Sequence, residues 1–225
     1  MDDDAANTTV KDETGVNNGT FNDATGDPNT DAHSVAGQVG KALNFDGVDD
    51  YVNCGTNVAF DLLDFTAEAW VYIDTTTNLS HRRSVSRDNY LQGGTRKWFA
   101  LRSSCGTDNV PNFTVGISTS NTAQSPEALT TGWHHLVGIR DEGNYLKLFV
   151  DGVEKDSVYD PTSGAIDSGG EPVTIGGLLP AGYERFIGLI DDVRIYNRAL
   201  SAEEIRRHFS RGRGGTGPFI TSFRE

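Results

Sequence analysis

The sequence is poor in cysteine, methionine and proline, and it lacks any long apolar run. Among its 225 residues are two cysteines, one methionine and seven prolines. No window approaches the roughly 20 apolar residues that a membrane-spanning helix needs. The chain opens MDDDAANTTV, which is acidic where a secretory signal would be basic and then apolar. We therefore expect no membrane insertion, and we expect any export signal to have been removed or never to have existed.

The two cysteines, Cys54 and Cys105, leave two arrangements open. A single disulfide forms only if their Cα atoms come within about 7 Å of each other. Two buried free thiols are the alternative. No CxxC pair of the metal-binding type is present.

Positive charge is scarce in the first part of the chain. The formal net charge is −13, and residues 1–64 hold 13 Asp or Glu residues against two Lys. Residues 191–225 hold five acidic residues against seven Arg. The acidic balance disfavours nucleic acid and anionic membranes as partners. Acid-rich loops could instead attract cations, although a solvated acidic surface explains the same composition.

Glycine and alternating apolar residues indicate many short strands. The chain has 26 glycines and is 36% hydrophobic, which suits strands joined by tight turns. In FTAEAWVYI, residues 65–73, the pattern alternates as in a strand with one face in a core. Further strands are predicted in KALNFDG, YVNCG, KWFALRSS, NFTVGIST, WHHLVGIRD, YLKLFVDG, VTIGG and FIGLIDDVRIY. We therefore predict an all-β, antiparallel two-sheet sandwich that forms a single domain.

One short helix is predicted near the C-terminus, in ALSAEEIRRHF. Ser201 can cap its first turn, and Glu204, three residues later, completes a capping box. Leu200 and Ile205 have the spacing of a hydrophobic staple. We expect about two turns, packed against the sandwich through Ile205 and Phe209.

Both ends of the chain are predicted to carry little regular structure. Residues 1–40 are polar and rich in turn residues, so loops with at most a short strand are expected there. Residues 211–225, RGRGGTGPFITSFRE, are dominated by glycine and are predicted to be a flexible tail or linker remnant. The folded domain is accordingly placed at residues 1–210.

Four segments together resemble one protein family. They are GKALNFDGVDDYV, FTAEAWVYI, GWHHLVGIRDEGNYLKLFVDGV and FIGLIDDVRIYNRALSAEEI, in this order between about Thr9 and Phe209. The chain resembles the laminin G-like domains of the concanavalin A-like lectin and glucanase superfamily. That resemblance implies a jelly-roll sandwich of two antiparallel sheets. It also implies a domain of a larger protein that is secreted or displayed at the cell surface.

The first hypothesis for function is a lectin-like module that binds a polysaccharide or glycan without catalysis. Sandwiches with a curved sheet bind sugars by placing aromatic rings against the apolar face of a pyranose. By strand parity, the candidates on the face opposite the core are Trp70, Tyr72, His134, Arg140 and Phe149. Tyr90 and Trp98 lie in the polar segment SRDNYLQGGTRKWF and offer a second contact surface. The alternative is that loops cover the aromatic residues of the first face.

An enzyme of the same fold is the second hypothesis, and the sequence argues against it. A retaining glycosidase needs two carboxyl groups about 5–5.5 Å apart. The ExDxxE pattern of related hydrolases is absent, and the nearest substitute, Glu154 and Asp156, follows a DG turn in a predicted solvated hairpin arm. The QxH motif of related lyases is absent as well. His134 and His135 are consecutive in a strand, so they point to opposite faces and cannot chelate one ion together.

A third hypothesis is a structural or adhesive module that binds protein. The same sandwich serves both roles, because a fold does not determine a function. The sequence therefore does not separate adhesion from sugar binding.

Two adjacent carboxylates, Asp191 and Asp192, interrupt the last apolar strand, FIGLIDDVRIY. Asp191 shares parity with apolar residues of that strand and is predicted to point towards the core, where an ionised carboxylate is costly unless paired or metal-bound. In the loop FDGVDDYV, Asp46, Asp49 and Asp50 form a hard-oxygen cluster of the kind that Ca²⁺ prefers. Laminin G-like modules often hold a calcium ion, so the resemblance implies one structural Ca²⁺ here. Asp191 is the first expected ligand, then Asp46 and Asp50, with Asp49 and Asp192 as neighbours. Hydrogen bonds from loop backbone N–H groups to Asp191 are the alternative.

Overall fold

The chain folds into two antiparallel β-sheets that pack face to face. The computed structural model describes residues 3–74, 81–88, 97–105, 110–117, 119–166, 170–179 and 184–214. The strands, in chain order, are β1 (Thr9–Val10), β2 (Gly19–Asn22), β3 (Ser34–Ala36), β4 (Lys41–Asp46), β5 (Tyr51–Asn53), β6 (Phe65–Ile73), β7 (Arg82–Arg87), β8 (Lys97–Ser104), β9 (Asn112–Ile117), β10 (Thr119–Gln124), β11 (Gly132–Asp141), β12 (Tyr145–Val150), β13 (Val153–Tyr159), β14 (Val173–Ile175) and β15 (Ile187–Tyr196). The α-helices are α1 (Thr30–His33), a single turn, and α2 (Ala202–Gly212), and a short 3₁₀ helix spans Val58–Phe60.

One sheet has eight strands and the other has seven. The eight-stranded sheet has the order β1-β2-β5-β14-β7-β8-β9-β10, and the seven-stranded sheet has the order β13-β12-β11-β6-β15-β4-β3. Neighbouring strands run antiparallel in both sheets. The predicted antiparallel two-sheet sandwich is confirmed, and each predicted strand segment contains one of these strands.

The core lies between the sheets and is filled from alternate strand positions. In β6, Phe65 packs against Phe99 of β8 and Phe113 of β9, with ring centroids 4.9 Å and 5.8 Å apart. The other inward-facing residues of β6 are also buried in this core, as the alternation predicts. Burying one large apolar side chain stabilises the fold by roughly 1.5–3 kcal/mol relative to leaving it exposed. The core therefore determines which face of each strand is left for other uses.

Helix α2 begins where the sequence predicts and is longer than expected. The Ser201 side chain accepts a hydrogen bond from the Glu204 backbone N–H, and the Glu204 side chain accepts one from the Ser201 backbone, which forms a capping box. Leu200 and Ile205 are buried in one cluster, as a hydrophobic staple requires. The helix has 11 residues, about three turns, and ends at Gly212, beyond the predicted end of the domain. It packs on the outer face of the seven-stranded sheet.

Strand β15 contains a bulge that the sequence analysis did not predict. The pairing of β15 with β6 slips just after Asp191, and Asp192 has a φ of 45°, in the left-handed region. Ile190 faces the core before the bulge, and Val193 faces it afterwards. Asp191 pairs with Trp70 on the outer face, so the prediction that it points towards the core is wrong. An extra residue in one strand reverses the alternation, and parity counted across it fails.

The polar segments contain more strands than predicted. β1, β2, β3 and α1 all fall within residues 1–40, where loops were expected. β7, in RRSVSR, and β10, in TSNTAQ, have few apolar residues, so no alternation marks them in the sequence. β7 lies in the middle of the eight-stranded sheet, where Arg83 pairs with Arg102 on the outer face and Arg87 lies on the core side opposite Phe99.

Three other expectations concern the cysteines, the tail and membranes. Cys54 and Cys105 are free thiols, and burial raises the pKa of Cys54 to about 12. Most of the predicted tail, residues 211–225, lies outside the described residues, which end at 214. Within the described ranges, no helix is long and apolar enough to cross a membrane.

Candidate ligand-binding face and metal site

Helix α2 covers the outer face of the seven-stranded sheet, where the sequence placed the first sugar-binding surface. Trp70 is 2% exposed, and its ring stacks on Phe209 of α2 with centroids 5.6 Å apart. A side chain at Gly212 would collide with the same indole, so the helix backbone passes directly over it. Phe149 is also buried, in a cluster with Ile205 of α2. Trp70 and Phe149 therefore anchor the helix in this structure and present no ring face to a ligand.

A buried carboxylate on the same face ties the helix to the sheet. Glu68 of β6 lies 3.0 Å from His208 Nδ1 and 3.6 Å from His135 Nε2. Arg194 Nη1 lies 3.4 Å from the same carboxylate, and the Tyr196 hydroxyl donates to it at 3.3 Å. Burial would raise the pKa of Glu68, but the contacts with His135 and His208 hold it well below its usual range. The polar side chains of this face thus serve to hold the helix.

Tyr72, unlike Trp70, is half-buried. Strand pairing places it opposite Trp133 of β11, and the two rings meet edge to face with centroids 5.5 Å apart. Trp133 was not predicted as a contact residue. The Tyr72–Trp133 pair is therefore the place on the seven-stranded sheet, among the described residues, where a sugar ring could still stack.

His134 and Arg140 lie on the core-facing side of β11, not on the face of Trp70. The register pairs His134 with Val71 and Arg140 with Phe65, and both partners face the core. The parity prediction for His134 and Arg140 is therefore wrong. Both faces of this strand are apolar along its middle, so alternation could not tell them apart.

Both side chains form ion pairs that hold the fold. Arg140 Nε donates to Asp160 Oδ2 at 2.9 Å, and both side chains are fully buried. His134 Nδ1 lies 2.9 Å from Asp151 Oδ2 at the turn between β12 and β13, beside a cavity of about 220 Å³. Burial would lower the pKa of His134, but the contact with Asp151 raises it above its ordinary value. Arg140 is thus closed to a ligand, whereas His134 lines a small cavity.

The outer face of the eight-stranded sheet carries the second predicted contact surface. In β8, Phe99 faces the core, so its neighbours in the alternation, Trp98 and Arg102, face outward. Trp98 is half-buried, and its indole lies against Gly116 of β9, where a Cβ would collide with the ring. Tyr90, the other residue predicted for this surface, lies outside the described residues. Trp98 therefore lies on the face that α2 does not cover.

Two arginines and a glutamate form a network beside Trp98. Arg83 of β7 pairs in register with Arg102 of β8, and both contact the Glu184 carboxylate, Arg102 through Nε at 3.1 Å. The Cζ atoms of the two arginines lie 5.9 Å and 5.7 Å from the centroid of the Trp98 ring. Asp88 Oδ2 accepts from Arg83 Nη2 at 2.9 Å. Burial would raise the pKa of Glu184, but the two arginines hold it below its ordinary value.

A third arginine lies across the sheet from this network. Arg185 follows Glu184, and its Cζ lies 4.9 Å from the centroid of the Tyr51 ring. Tyr51 points outward from β5 because the next residue, Val52, is in the core. Arg185 Nη1 approaches the Asp50 backbone oxygen at 3.5 Å. We refer to these outward-facing residues together as the arginine face: Tyr51, Arg83, Trp98, Arg102, Glu184 and Arg185.

The loop between β4 and β5 brings carboxylates together, as the sequence predicts. Ligand atoms of Asp46, Asp49 and Asp50 all lie within 4.8 Å of one another. A second group in the described part of the chain joins Asp50 to Asp23 and His33 within the same distance. The pairing of β2 with β5 brings the segment that contains Asp23 against this loop.

Asp50 lies in a place where its negative charge is poorly compensated. Its Oδ2 accepts from the Asp46 backbone N–H at 2.8 Å, while its Oδ1 is buried with no hydrogen-bond partner in the described structure. Burial, together with the nearby carboxylates of Asp46 and Asp23, raises its pKa to about 6. His33 Nδ1 lies 3.8 Å from Asp50 Oδ2, and His33 Nε2 lies 3.4 Å from Asp23 Oδ2. A buried carboxylate oxygen without a donor is a position that a bound cation would satisfy.

Asp191 and Asp192 lie apart from that loop. Asp46 pairs with the first residue of β15, so Asp191 is four residues, about 13 Å, further along the strand. The Val39 backbone N–H donates to Asp191 Oδ2 at 2.8 Å, and burial raises the pKa of Asp191 to about 6. Asp192 is bound by Arg194 Nη2 at 2.8 Å. The predicted ligand set is therefore split, and Asp191 shows the hydrogen-bonded alternative instead of sharing an ion with the loop.

Several residues of the two sites were missed because no local pattern marks them. Arg83 lies in the polar strand β7, and Glu184 precedes a strand without being part of it. Asp23 meets the acidic loop only through the long-range pairing of β2 with β5. Arg102 could have been found, because it shares outward parity with Trp98 in KWFALRSS.

Comparison with solved structures finds proteins of similar fold. Domain 4 of AbnA, a GH43 extracellular arabinanase from Geobacillus stearothermophilus solved with arabinotriose, is 22% identical with a TM-score of 0.62, and the match covers 77% of this chain and 79% of that one. The CBM40 of Ruminococcus gnavus IT-sialidase is 16% identical with a TM-score of 0.60, over 75% and 96% of the two chains. Trypanosoma rangeli sialidase, solved with sialic acid, is 16% identical with a TM-score of 0.64, over 96% of this chain and 33% of that one. At these identities the likeness shows the fold alone.

The sequence comparison identifies the family. No curated protein is similar enough in sequence to count as a match. A laminin G-type family profile, described as the concanavalin A-like lectin/glucanases superfamily, matches residues 46–206, more than two thirds of the chain. The profile match and the two-sheet sandwich agree, and the chain belongs to the concanavalin A-like lectin/glucanase superfamily as a laminin G-like domain.

Proposed function

We propose that this domain is a non-catalytic, lectin-like module that binds a polysaccharide or glycan on the arginine face. The observation that carries the proposal is the contrast between the two outer faces: α2 covers one, and the other carries the half-buried Trp98 with the partly exposed Glu184 and the buried guanidinium groups of Arg83 and Arg102 beside it. An indole surrounded by fixed donors and acceptors suits a sugar, because the ring takes the apolar side of a pyranose and the polar groups bind its hydroxyls. Domains of similar fold solved with arabinotriose and with sialyllactose support this ligand class.

Binding without catalysis is favoured by the state of the acidic residues on this face. Glu184 is held between Arg83 and Arg102, and Asp88 is paired with Arg83. A glycosidase needs a carboxyl group that gives up a proton near neutral pH. A carboxylate that two guanidinium groups keep ionised is a poor general acid, which supports a binding role.

The proposal includes one structural Ca²⁺ in the loop between β4 and β5. Asp46, Asp49 and Asp50 would supply oxygen ligands, with Asp23 as a further carboxylate at the same place. The unsatisfied Oδ1 of Asp50 supports this ligand set, because a cation there would compensate a buried charge. The loop leads directly into Tyr51, so an ion would also hold one edge of the arginine face.

A secreted or surface location is part of the same proposal, supported by the extracellular arabinanase of similar fold.

Removal of calcium tests the metal part of the proposal. We expect chelation to lower the melting temperature by several degrees, because an ion that binds only the native state adds RT ln(1 + [L]/Kd) to stability. The Asp50→Asn variant should lose this calcium dependence, whereas Asp31→Asn, at an exposed position, should keep it. If chelation leaves melting unchanged and calorimetry detects no calcium binding, the metal part fails while the glycan part stands.

A glycan array followed by affinity measurements tests the glycan part. We expect Trp98→Ala to weaken binding of the best glycan at least about tenfold, as loss of a central aromatic contact does at other interfaces. Tyr159→Ala is the matched control, because Tyr159 is 70% exposed on the edge strand β13. Absence of binding to neutral and acidic glycans from plant, algal and animal sources would contradict the proposal and favour the adhesive module. Equal affinity of the Trp98→Ala and wild-type proteins would mean that the glycan binds somewhere other than the arginine face.

A further inference from the structure

One guanidinium group of the arginine face has an entire hydrogen-bonding edge unused. Arg185 is 8% exposed, and its Nε and Nη2 atoms are buried without a hydrogen-bond partner in the described part of the chain. These two nitrogens form one side of the planar guanidinium fork, with parallel N–H groups. Leaving buried N–H groups of a charged residue unpaired costs free energy of folding. A hydrogen-bond acceptor bound at this edge would remove that cost.

The neighbours of Arg185 hold it in place without filling that edge. Its Nη1 faces the Asp50 backbone oxygen, and its plane is supported by the Tyr51 ring. A side chain at Gly177 would collide with the guanidinium, so the backbone also approaches it closely. Burial lowers the pKa of Arg185, and Tyr51 and the nearby carboxylates of Asp49 and Asp50 offset this only in part.

The other two arginines of this face have carboxylate partners, whereas Arg185 has none in the part of the chain that the structure describes. Glu184 pairs with both Arg83 and Arg102, and Asp88 pairs with Arg83. Among the described residues, no carboxylate oxygen comes within ion-pair distance of Arg185. A neutral hydroxyl would satisfy one of its free N–H groups but leave the buried charge uncompensated.

We infer that the ligand is an acidic oligosaccharide and that Arg185 binds its anionic group through Nε and Nη2. The inference rests on the proposed function, which it makes more specific. A carboxylate or a sulfate ester has two oxygens at the spacing that matches this edge. Tyr51 on β5 and Trp98 on β8 are three strand spacings apart, about 14 Å, which is more than one sugar ring spans. The anionic residue of the glycan would thus lie at Arg185 and a neighbouring sugar at Trp98.

Matched pairs of acidic and neutral glycans test the inference in solution. Suitable pairs are 3′-sialyllactose and lactose, an oligogalacturonide and its methyl ester, and sulfated and unsulfated lactose. We expect the acidic member of at least one pair to bind at least about tenfold more tightly than its neutral counterpart. The carboxylated and sulfated pairs distinguish the two sources of the anionic group.

Variants of Arg185 connect this preference to the residue. Arg185→Gln should abolish the preference for the acidic member, and Arg185→Lys, which keeps the charge but lacks the fork, should keep only part of that preference. Arg207→Gln is the control, because Arg207 is exposed on α2 and its loss should change nothing. Equal binding of acidic and neutral members, or an unchanged preference in a folded Arg185→Gln protein, would overturn the inference and leave the proposed function standing. Absence of binding to every glycan would overturn both.

Discussion

Asp50, Asp191 and Asp192 fold into places that disfavour their charge, because burial raises the pKa of each. Burial is the main cause that raises the pKa of Asp50 and of Asp191 to about 6, from an ordinary value of 3.8. Because the folded-state pKa lies above the unfolded one, their contribution to stability is complete below about pH 3.8 and is lost as pH rises through about 6. The raised pKa of His134 likewise contributes stability that is present in mild acid and is lost as pH rises. Glu68 has a lowered pKa, so its contribution is complete above about pH 4.5 and declines only in stronger acid.

We therefore expect the free energy of unfolding of the calcium-free protein to rise as pH falls from about 7.5 to about 5. Asp50→Asn should flatten this rise by on the order of 1 kcal/mol, after allowance for solvent screening. Urea denaturation in the presence of a chelator measures the pH dependence of the unfolding free energy in the wild-type protein and in Asp50→Asn. Asp31→Asn is the exposed control. Stability that falls over this interval, or an unchanged slope in Asp50→Asn, would contradict the placement of Asp50.

Among the elements, helix α2 decides which outer face of the sandwich is available. Its contacts combine apolar packing, through Ile205 and Phe209, with the buried carboxylate of Glu68. Removing one member of a buried ionic network leaves its partners without compensation. The attachment of the helix should therefore depend strongly on Glu68.

We expect Glu68→Gln to lower the free energy of unfolding by about 3 kcal/mol or more, because His208, His135 and Arg194 lose their shared partner. Glu203→Gln removes an exposed helix pair with Arg207 and should lower the free energy of unfolding far less than Glu68→Gln does. Chemical denaturation of the two variants measures the difference. Similar losses in both would mean that the network does not hold the helix.

The elements also show why sequence predicted some faces and not others. β6 carries small and apolar residues at alternate positions, and its core side was predicted correctly. β11 is apolar on both faces, because Val137 packs under α2 while Leu136 fills the core, so His134 and Arg140 were assigned to the wrong side. In β15 the bulge at Asp192 has no marker in the residue pattern. Alternation predicts a face only where the two sides of a strand differ in chemistry and the ladder has no extra residue.

At the scale of the whole molecule, the two candidate sites are neighbours. The acidic loop ends at Asp50, and the arginine face begins at Tyr51. The family resemblance was sufficient to predict the sandwich, because its four motifs follow the strands in order. It could not predict the arginine face, which depends on which strands become neighbours and on where α2 packs.

The three tryptophans report on three different surfaces. Trp70 lies under α2, Trp98 lies on the arginine face, and Trp133 lies beside Tyr72. Their indole N–H signals can be observed separately by NMR in protein labelled with ¹⁵N-tryptophan and assigned with single Trp→Phe variants. Titration with the glycan that binds best on the array is the most direct test of the arginine face as the binding surface. We predict that the Trp98 signal shifts with saturation while the Trp70 signal stays in place. A Trp98 signal that does not move while that of Trp133 shifts would contradict the account and place the ligand on the Tyr72–Trp133 pair.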